Sequence, residues 1–261
     1  MAGRRSEKTE LCLDEAMKII KGLSYKVTLR YVFYGLLQKG LLRTKKDYKW
    51  FLDKTRTARK NFYKEWTPYS LADDSRRIYY YGWGNGVPEV SVNISHFHEQ
   101  RFYVEMWFEA NAMVRQFQYY NHCVTLRPFG GDYTIAKKWE IAKDLEEAVE
   151  RFRKPITILY FGDYDEKGLE IPFNATRDIE KWCNVEFEFH VVGLTSEQVH
   201  KYPLDENPDK PNQYQWEALR DKDAGEIITN ALEKFIDFDI VEEAREKSRD
   251  KEREIMKKII E

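Results

Sequence analysis

Cysteine is scarce in this chain: Cys12, Cys123 and Cys183 are the three among 261 residues, odd in number and far apart. That spacing suits neither a disulfide framework nor a zinc site, and a reducing cytoplasm is the simplest expectation. No apolar run approaches the roughly 18 residues that a membrane span needs, so neither a membrane nor a secretory role is expected. The glycine-rich stretches GWGNG and FGGDY lack the Lys-Ser/Thr of a phosphate-binding P-loop, which excludes nucleotide hydrolysis of that type. An excess of one charge is missing too, the formal net charge being −2. At this length one or two domains with a sizeable core are expected.

The charge is unevenly spread. Residues 1 to 60 carry 16 Lys/Arg against 6 Asp/Glu, a balance of +10, and the remainder carries 27 against 39, a balance of −12. A basic first part followed by an acidic one suits a domain that grips phosphates beside a domain that holds a cation. In the basic part, residues 10–22, 27–39 and 47–60 have helical spacing, and Gly40 suits the C-terminal cap of the second helix. Two strand-like runs follow, RRIYYYGW and PEVSVNI, joined by GNGVP, and Asn-Gly there is a strong hairpin signal. Three helices and a hairpin make a winged helix-turn-helix. Its candidate DNA contacts are Lys26, Arg43, Lys45, Lys46, Arg56, Arg59, Lys60, Arg76 and Arg77. Tyr79, Tyr80 and Tyr81 suit either base stacking or the domain interior.

The acidic part alternates between strand and helix. FYVEMWF (102–108) leads into Glu109, a helical ANAMVRQFQYY, a short strand HCVTL and the pair Gly130-Gly131. A long helix is expected over about 134–152, then the strand ITILYF, a helix over about 169–182 and the strand VEFEFHVV. This alternation predicts an α/β fold with a parallel sheet, the N-terminal part being α+β. The run ITILYF breaks into GDYDEKG, so Asp163 and Asp165 sit just past a strand. Ligands of open α/β sheets bind at that edge, and paired acids there can hold a divalent cation. The same acids also suit a solvated turn that caps the next helix. By strand alternation Glu105 shares a face with Tyr103, Trp107 and Glu109, either as an acid behind the site or as a polar residue near the sheet edge. His96 and His98 read as neighbours on one strand face with no third metal ligand near them.

A glutamate ending one strand and Asp-x-Asp ending a later one resembles the Toprim domain of topoisomerases, primases and some nucleases. Residues 27–37, VTLRYVFYGLL, carry a Thr-x-Arg-x-x-x-Tyr pattern that resembles the tyrosine helix of the topoisomerase VI A subunit and its meiotic double-strand-break relatives. Ala58-Arg59, the segment VVGLTSEQVHKYPLDENPDK and QWEAL (215–219) also resemble stretches of that family, so the resemblance spans about residues 20–235. It implies a winged-helix domain over 1–100 and a Toprim domain over 101–238; the charged stretch over 239–261 is helical by composition and suits an exposed terminal helix or part of a dimer contact, the exposed helix being favoured because its apolar positions cluster at its two ends. The resemblance implies that Tyr34 is the nucleophile, that Arg30 holds the phosphate, and that Glu109, Asp163 and Asp165 hold Mg²⁺, or Mn²⁺ in its place. The implied activity is cleavage of double-stranded DNA through a 5′-phosphotyrosyl link, by a homodimer in which the tyrosine of one copy works with the acids of the other. A separate ATPase subunit would be needed for strand passage, and a DNA-associated cytoplasmic location is expected.

The chain departs from the family in two ways. It is short, and Ala110 stands where a lysine usually follows the glutamate, which removes one phosphate-facing cation. Two other readings therefore stand beside the first: a Toprim nuclease that uses activated water, and a DNA-binding or assembly protein whose cleavage has decayed. Arg30 and Tyr34 are one helical turn apart and share a face. A phenol has a pKa near 10, so Tyr34 needs its proton removed or its anion stabilised before it attacks.

Overall fold

The computed structural model describes residues 6–72, 91–129, 135–207 and 210–260. The first strand of the expected hairpin, with Arg76, Arg77 and Tyr79 to Tyr81, lies outside the described residues, as do Gly130 and Gly131; the described end of its second strand, 91–94, is not a strand, the N–H groups of Val92 and Ile94 donating instead to Glu252 and Ser248. Three helices open the described chain: α1 (Glu7–Lys21), α2 (Leu29–Gln38) and α3 (Lys45–Lys60). Each starts where a short polar side chain can accept orphan N–H groups. Ser6 Oγ accepts from Thr9 N–H and Thr28 Oγ1 from Tyr31 N–H, both at 3.3 Å, and the Asp47 carboxylate accepts from Thr44 N–H at 3.0 Å. Gly40, at φ +67°, ends α2 in the left-handed conformation that glycine adopts without strain. Leu13, Val32, Phe33, Leu36 and Phe51 bury the inner faces of these helices in a core that Trp66 and Leu71 of the following segment complete.

A second core begins at Phe97 and surrounds the sheet. Among the described residues the strands are β1 (Tyr103–Phe108), β2 (Thr125–Pro128), β3 (Ile156–Phe161) and β4 (Phe187–Gly193). They pair in the order β2-β1-β3-β4, all parallel. Helix α4 (Val114–Tyr120) links β1 to β2, α5 (Ile135–Phe152) links β2 to β3, and α6 (Glu166–Trp182) links β3 to β4. Phe117 of α4 stacks on Phe108 at 4.4 Å between ring centres, whereas Phe152 of α5 stacks on Tyr103 at 5.5 Å. Residues 103 and 108 point to opposite faces of a strand, so α4 and α5 cover opposite faces of the sheet. Beyond β4 come α7 (Ser196–Lys201), α8 (Asp221–Glu233) and α9 (Phe238–Ile260). The mixed α/β class and the parallel sheet are those the strand–helix alternation predicts. Among the described residues, no helix is long and apolar enough to cross a membrane.

Several local expectations are corrected. The strand placed at HCVTL begins only at Thr125, because the Asn121 side chain bonds Val124 N–H and C=O and folds 121–124 into a turn. His96 and His98 lie on a 3-10 turn capped by Ser95, not on a strand, and His96 Nε2 lies 2.7 Å from Cys123 O. Helix α6 starts at Glu166, three residues earlier than expected. The C-terminal helix is exposed only in part. Val241 is buried in the second core, Ala244 is buried as well, and Ser248 and Glu252 accept from the N–H groups of Ile94 and Val92.

Glu105 is not a polar residue at a wet sheet edge. It is fully buried on the α5 face and accepts from Arg127 Nε (2.6 Å) and Nη2 (2.8 Å), Trp107 Nε1 (2.8 Å) and Tyr103 Oη (3.1 Å). Burial alone would pull the Arg127 pKa down, but Glu105 and Asp144 hold it above its ordinary value. Removing one partner of such a pair strands a buried charge. Glu105→Ala is therefore expected to cost about 3–5 kcal/mol of stability in urea unfolding. Cation binding by the folded variant should be unchanged.

Candidate active site

With strand order β2-β1-β3-β4 the chain leaves β1 toward one edge of the sheet and returns at β3 toward the other. The connections diverge at the carboxyl ends of β1 and β3, and a crevice opens between them. Glu109 follows β1 directly, its N–H donating to Phe161 O at 3.0 Å. Asp163 lies two residues past β3, and its own N–H donates to Glu109 Oε2 at 3.2 Å. Both carboxylates thus meet at the switch point. Asp165 is partly exposed two residues further on.

A third buried acid, Glu217, comes from the far end of the chain. Tyr164 and Tyr214 form an antiparallel bridge, with N–H to O distances of 2.8 and 3.1 Å in the two directions. That bridge lays the 3-10 turn Trp216–Ala218 across the acid loop, and Trp216 N–H donates to Asp163 Oδ1 at 2.9 Å. The indole ring fits because residue 193 is glycine: a Cβ there would stand 2.6 Å from the Trp216 ring. Glu217 is 4% exposed, and neither of its carboxylate oxygens accepts a hydrogen bond.

Helix α2 packs against this turn with Tyr31, Val32, Phe33 and Leu36 buried. Its half-exposed face carries Arg30 and Tyr34 to the acids. Arg30 Nε lies 3.1 Å from Glu217 Oε1, an ion pair without hydrogen-bond alignment, and the guanidinium carbon is 5.8 Å from the Tyr34 ring centre. The docking is reinforced at Asp221, the first residue of α8. Its carboxylate accepts from Tyr25 of the helical core, and from Tyr120 Oη (2.7 Å) and Gln116 Nε2 (3.0 Å) of α4.

The electrostatics follow from burial and crowding. Burial, then the charges of Glu217 and Glu109, push the Asp163 pKa well above the usual carboxylate range. Burial also raises Glu109, with Asp165 and Glu217 adding to it against the relief given by Asp163 N–H. Desolvation would lower the Arg30 pKa, but Glu217 and Asp163 hold it up. Tyr34 is pushed up to about 12, by burial first, with Arg30 opposing and Glu217 and Asp163 adding. The phenol is therefore protonated at neutral pH in the protein alone. Hard oxygen donors, two of them without any hydrogen bond, in a crowd of like charges suit a divalent cation in chemistry. Among the described residues, however, no three acidic, histidine or cysteine side chains converge closely enough to hold one as they stand.

The expected DNA contacts are dispersed. Arg30, Arg56 and Arg59 line a groove of about 1060 Å³ that is closed on its other side by Asn111 and Arg115 at α4. Arg43 lines a smaller cavity of about 330 Å³ with Tyr34, Asp205 and Glu206. Lys46 and Lys60 are exposed, and Lys26 lies 5.6 Å from the Tyr69 ring centre. Lys45 is the first residue of α3, and Arg76 and Arg77 lie outside the described residues. Sequence reasoning missed Glu217 as a site residue, although QWEAL had been singled out, and it missed Arg115. Comparison of the chain with protein-family models, curated proteins and solved structures finds no match.

A carboxyl whose folded pKa is raised binds more protons in the folded state than in the unfolded one, so its contribution to stability falls as pH rises through the shifted pKa. Asp163→Asn is thus expected to match wild type near pH 4 and to melt at a higher temperature by pH 7 in EDTA. Added Mg²⁺ should narrow the gap by stabilising wild type. Thermal unfolding at a series of pH values reads both effects.

Proposed function

We propose that this chain is a winged-helix and Toprim protein that cuts double-stranded DNA by magnesium-dependent tyrosine transesterification, related in design to the topoisomerase VI A subunit. The single observation that carries this reading is the approach of the α2 face bearing Arg30 and Tyr34 to the acids at the sheet's switch point, with Arg30 Nε 3.1 Å from Glu217.

Glu109, Asp163 and Asp165 would hold the cation, which when bound offsets the charge that builds on phosphoryl oxygens. The remaining roles belong to the chain. The Arg30 guanidinium is placed to grip a phosphate by two parallel hydrogen bonds. The groove between α3 and α4 offers Arg56, Arg59 and Arg115 to the flanking backbone. Tyr34 Oη forms a bond to phosphorus while the P–O3′ bond breaks. The phenolic proton ends on the leaving 3′ oxygen, and the 5′-phosphate stays on the tyrosine. A protein that also passes strands would require a separate ATPase subunit.

One observation favours a second reading. The Tyr34 pKa near 12 makes the phenol a weak nucleophile in the protein alone, which suits a Toprim nuclease in which water attacks and Tyr34 is structural. Supercoiled plasmid incubated with Mg²⁺ and quenched in detergent separates the two. A covalent protein–DNA adduct in wild type that is absent from Tyr34→Phe and Asp163→Asn is the expected result. Free ends that persist in Tyr34→Phe and vanish in Asp163→Asn would sink the transesterase in favour of the nuclease.

The resemblance implies a homodimer with tyrosine and acids shared between copies, whereas Arg30 here already contacts Glu217 of its own chain. Each of two copies would then cut one strand with its own tyrosine and its own acids. Mixing Tyr34→Phe with Asp163→Asn chains tests this. A within-chain site predicts no adduct from the mixture, and recovered nicking would place tyrosine and acids on different copies.

A further inference from the structure

The Arg30–Glu217 contact is an unusual pairing. A buried carboxylate normally collects several aligned donors, and Glu105 in this same protein has four. Glu217 is as buried, yet its two oxygens accept no hydrogen bond, and its near neighbour is a guanidinium edge 3.1 Å away without hydrogen-bond alignment. That neighbour is the residue on which phosphate binding rests. While Arg30 Nε stays beside Glu217, part of the charge that it brings to the groove it lines is neutralised.

Resting on the reading that the acid cluster holds a divalent cation, we infer that Glu217 is a positioning residue with two exclusive partners: Arg30 when the cluster is empty, and the cation when it is filled. Filling the cluster gives Glu217 a stronger counter-charge and releases the Arg30 guanidinium to the DNA phosphate. Cation and DNA binding are thereby coupled through one buried side chain. The coupling is reciprocal, so DNA that captures Arg30 leaves Glu217 free for the cation and tightens its binding. The lysine missing at Ala110 makes this release matter more, because Arg30 then carries more of the phosphate contact next to the acids.

The test uses the full chain in a Tyr34→Phe background, so that no covalent adduct holds the DNA, and the duplex is checked for intactness after each reading. Affinity for a fluorescein-labelled duplex is read by anisotropy in EDTA and in Mn²⁺, and Mn²⁺ binding is read separately by electron paramagnetic resonance. Glu217→Gln is expected to bind the duplex in EDTA on the order of tenfold more tightly than the parent, and to gain little on adding Mn²⁺. Asp165→Asn removes the same charge while leaving the Arg30–Glu217 pair in place, and is expected to show only a small part of that gain. Should Glu217→Gln fail to fold, Arg30→Gln serves instead, and its Mn²⁺ affinity should rise several-fold without DNA. Equal EDTA affinities for Glu217→Gln and Asp165→Asn, or an unchanged Mn²⁺ affinity in Arg30→Gln, overturn the exchange while leaving the metal reading intact. A parent that binds no Mn²⁺ overturns the metal reading itself.

Discussion

Like charges crowded out of water are costly, and the carboxyl edge of this sheet brings several acids together at the point where two strand exits diverge. Everything around that edge works against their repulsion. Backbone N–H groups of Asp163 and Trp216 donate into the cluster, and Arg30 leans in from a separate core. Behind the acids, Phe117, Phe161 and Trp216 form an aromatic wedge with ring centres 4.9 to 5.6 Å apart. The wedge fixes the turn that carries Glu217, so the acid cannot swing out to water. Burial and this crowding together raise the pKa values of Asp163 and Glu109 above the usual carboxylate range.

Local signals carried most of the fold. The helical periods around residues 10–22, 27–39 and 47–60 became α1, α2 and α3, because their caps lie within a few residues of the apolar faces they terminate. The apolar runs at 102–108 and 156–161 became the two central strands, and a run buried on both faces needs no partner to be recognised. Where side chains bonded their own backbone, the reading slipped. Asn121 turned the expected start of β2 into a loop, and Ser95 turned a strand-like His-Phe-His into a 3-10 turn.

What could not be read was pairing over distance. Strand alternation put Glu105 with Tyr103 and Trp107, but nothing local says that Arg127 lies on the neighbouring strand beside it. Glu109, Asp163 and Asp165 stood out because strand ends announce themselves in sequence. Glu217 sits in no strand, and it reaches the site only through the Tyr164–Tyr214 bridge, some fifty residues apart in the chain. Arg115 was hidden likewise, since its groove is formed only when two separately packed cores meet.

The Asp221 junction, where tyrosines from both cores converge on one carboxylate, has a bearing on how the protein is made. During synthesis the helix bearing Tyr34 emerges first, β1 and β3 bring their acids later, and Glu217 and Asp221 follow after them. A nascent chain thus holds Arg30 and Tyr34 before the acids that meet the α2 face exist. Helix α2 therefore gains its ionic partner Glu217 only after every strand of the sheet has been made, so the two cores dock late rather than as each is synthesised.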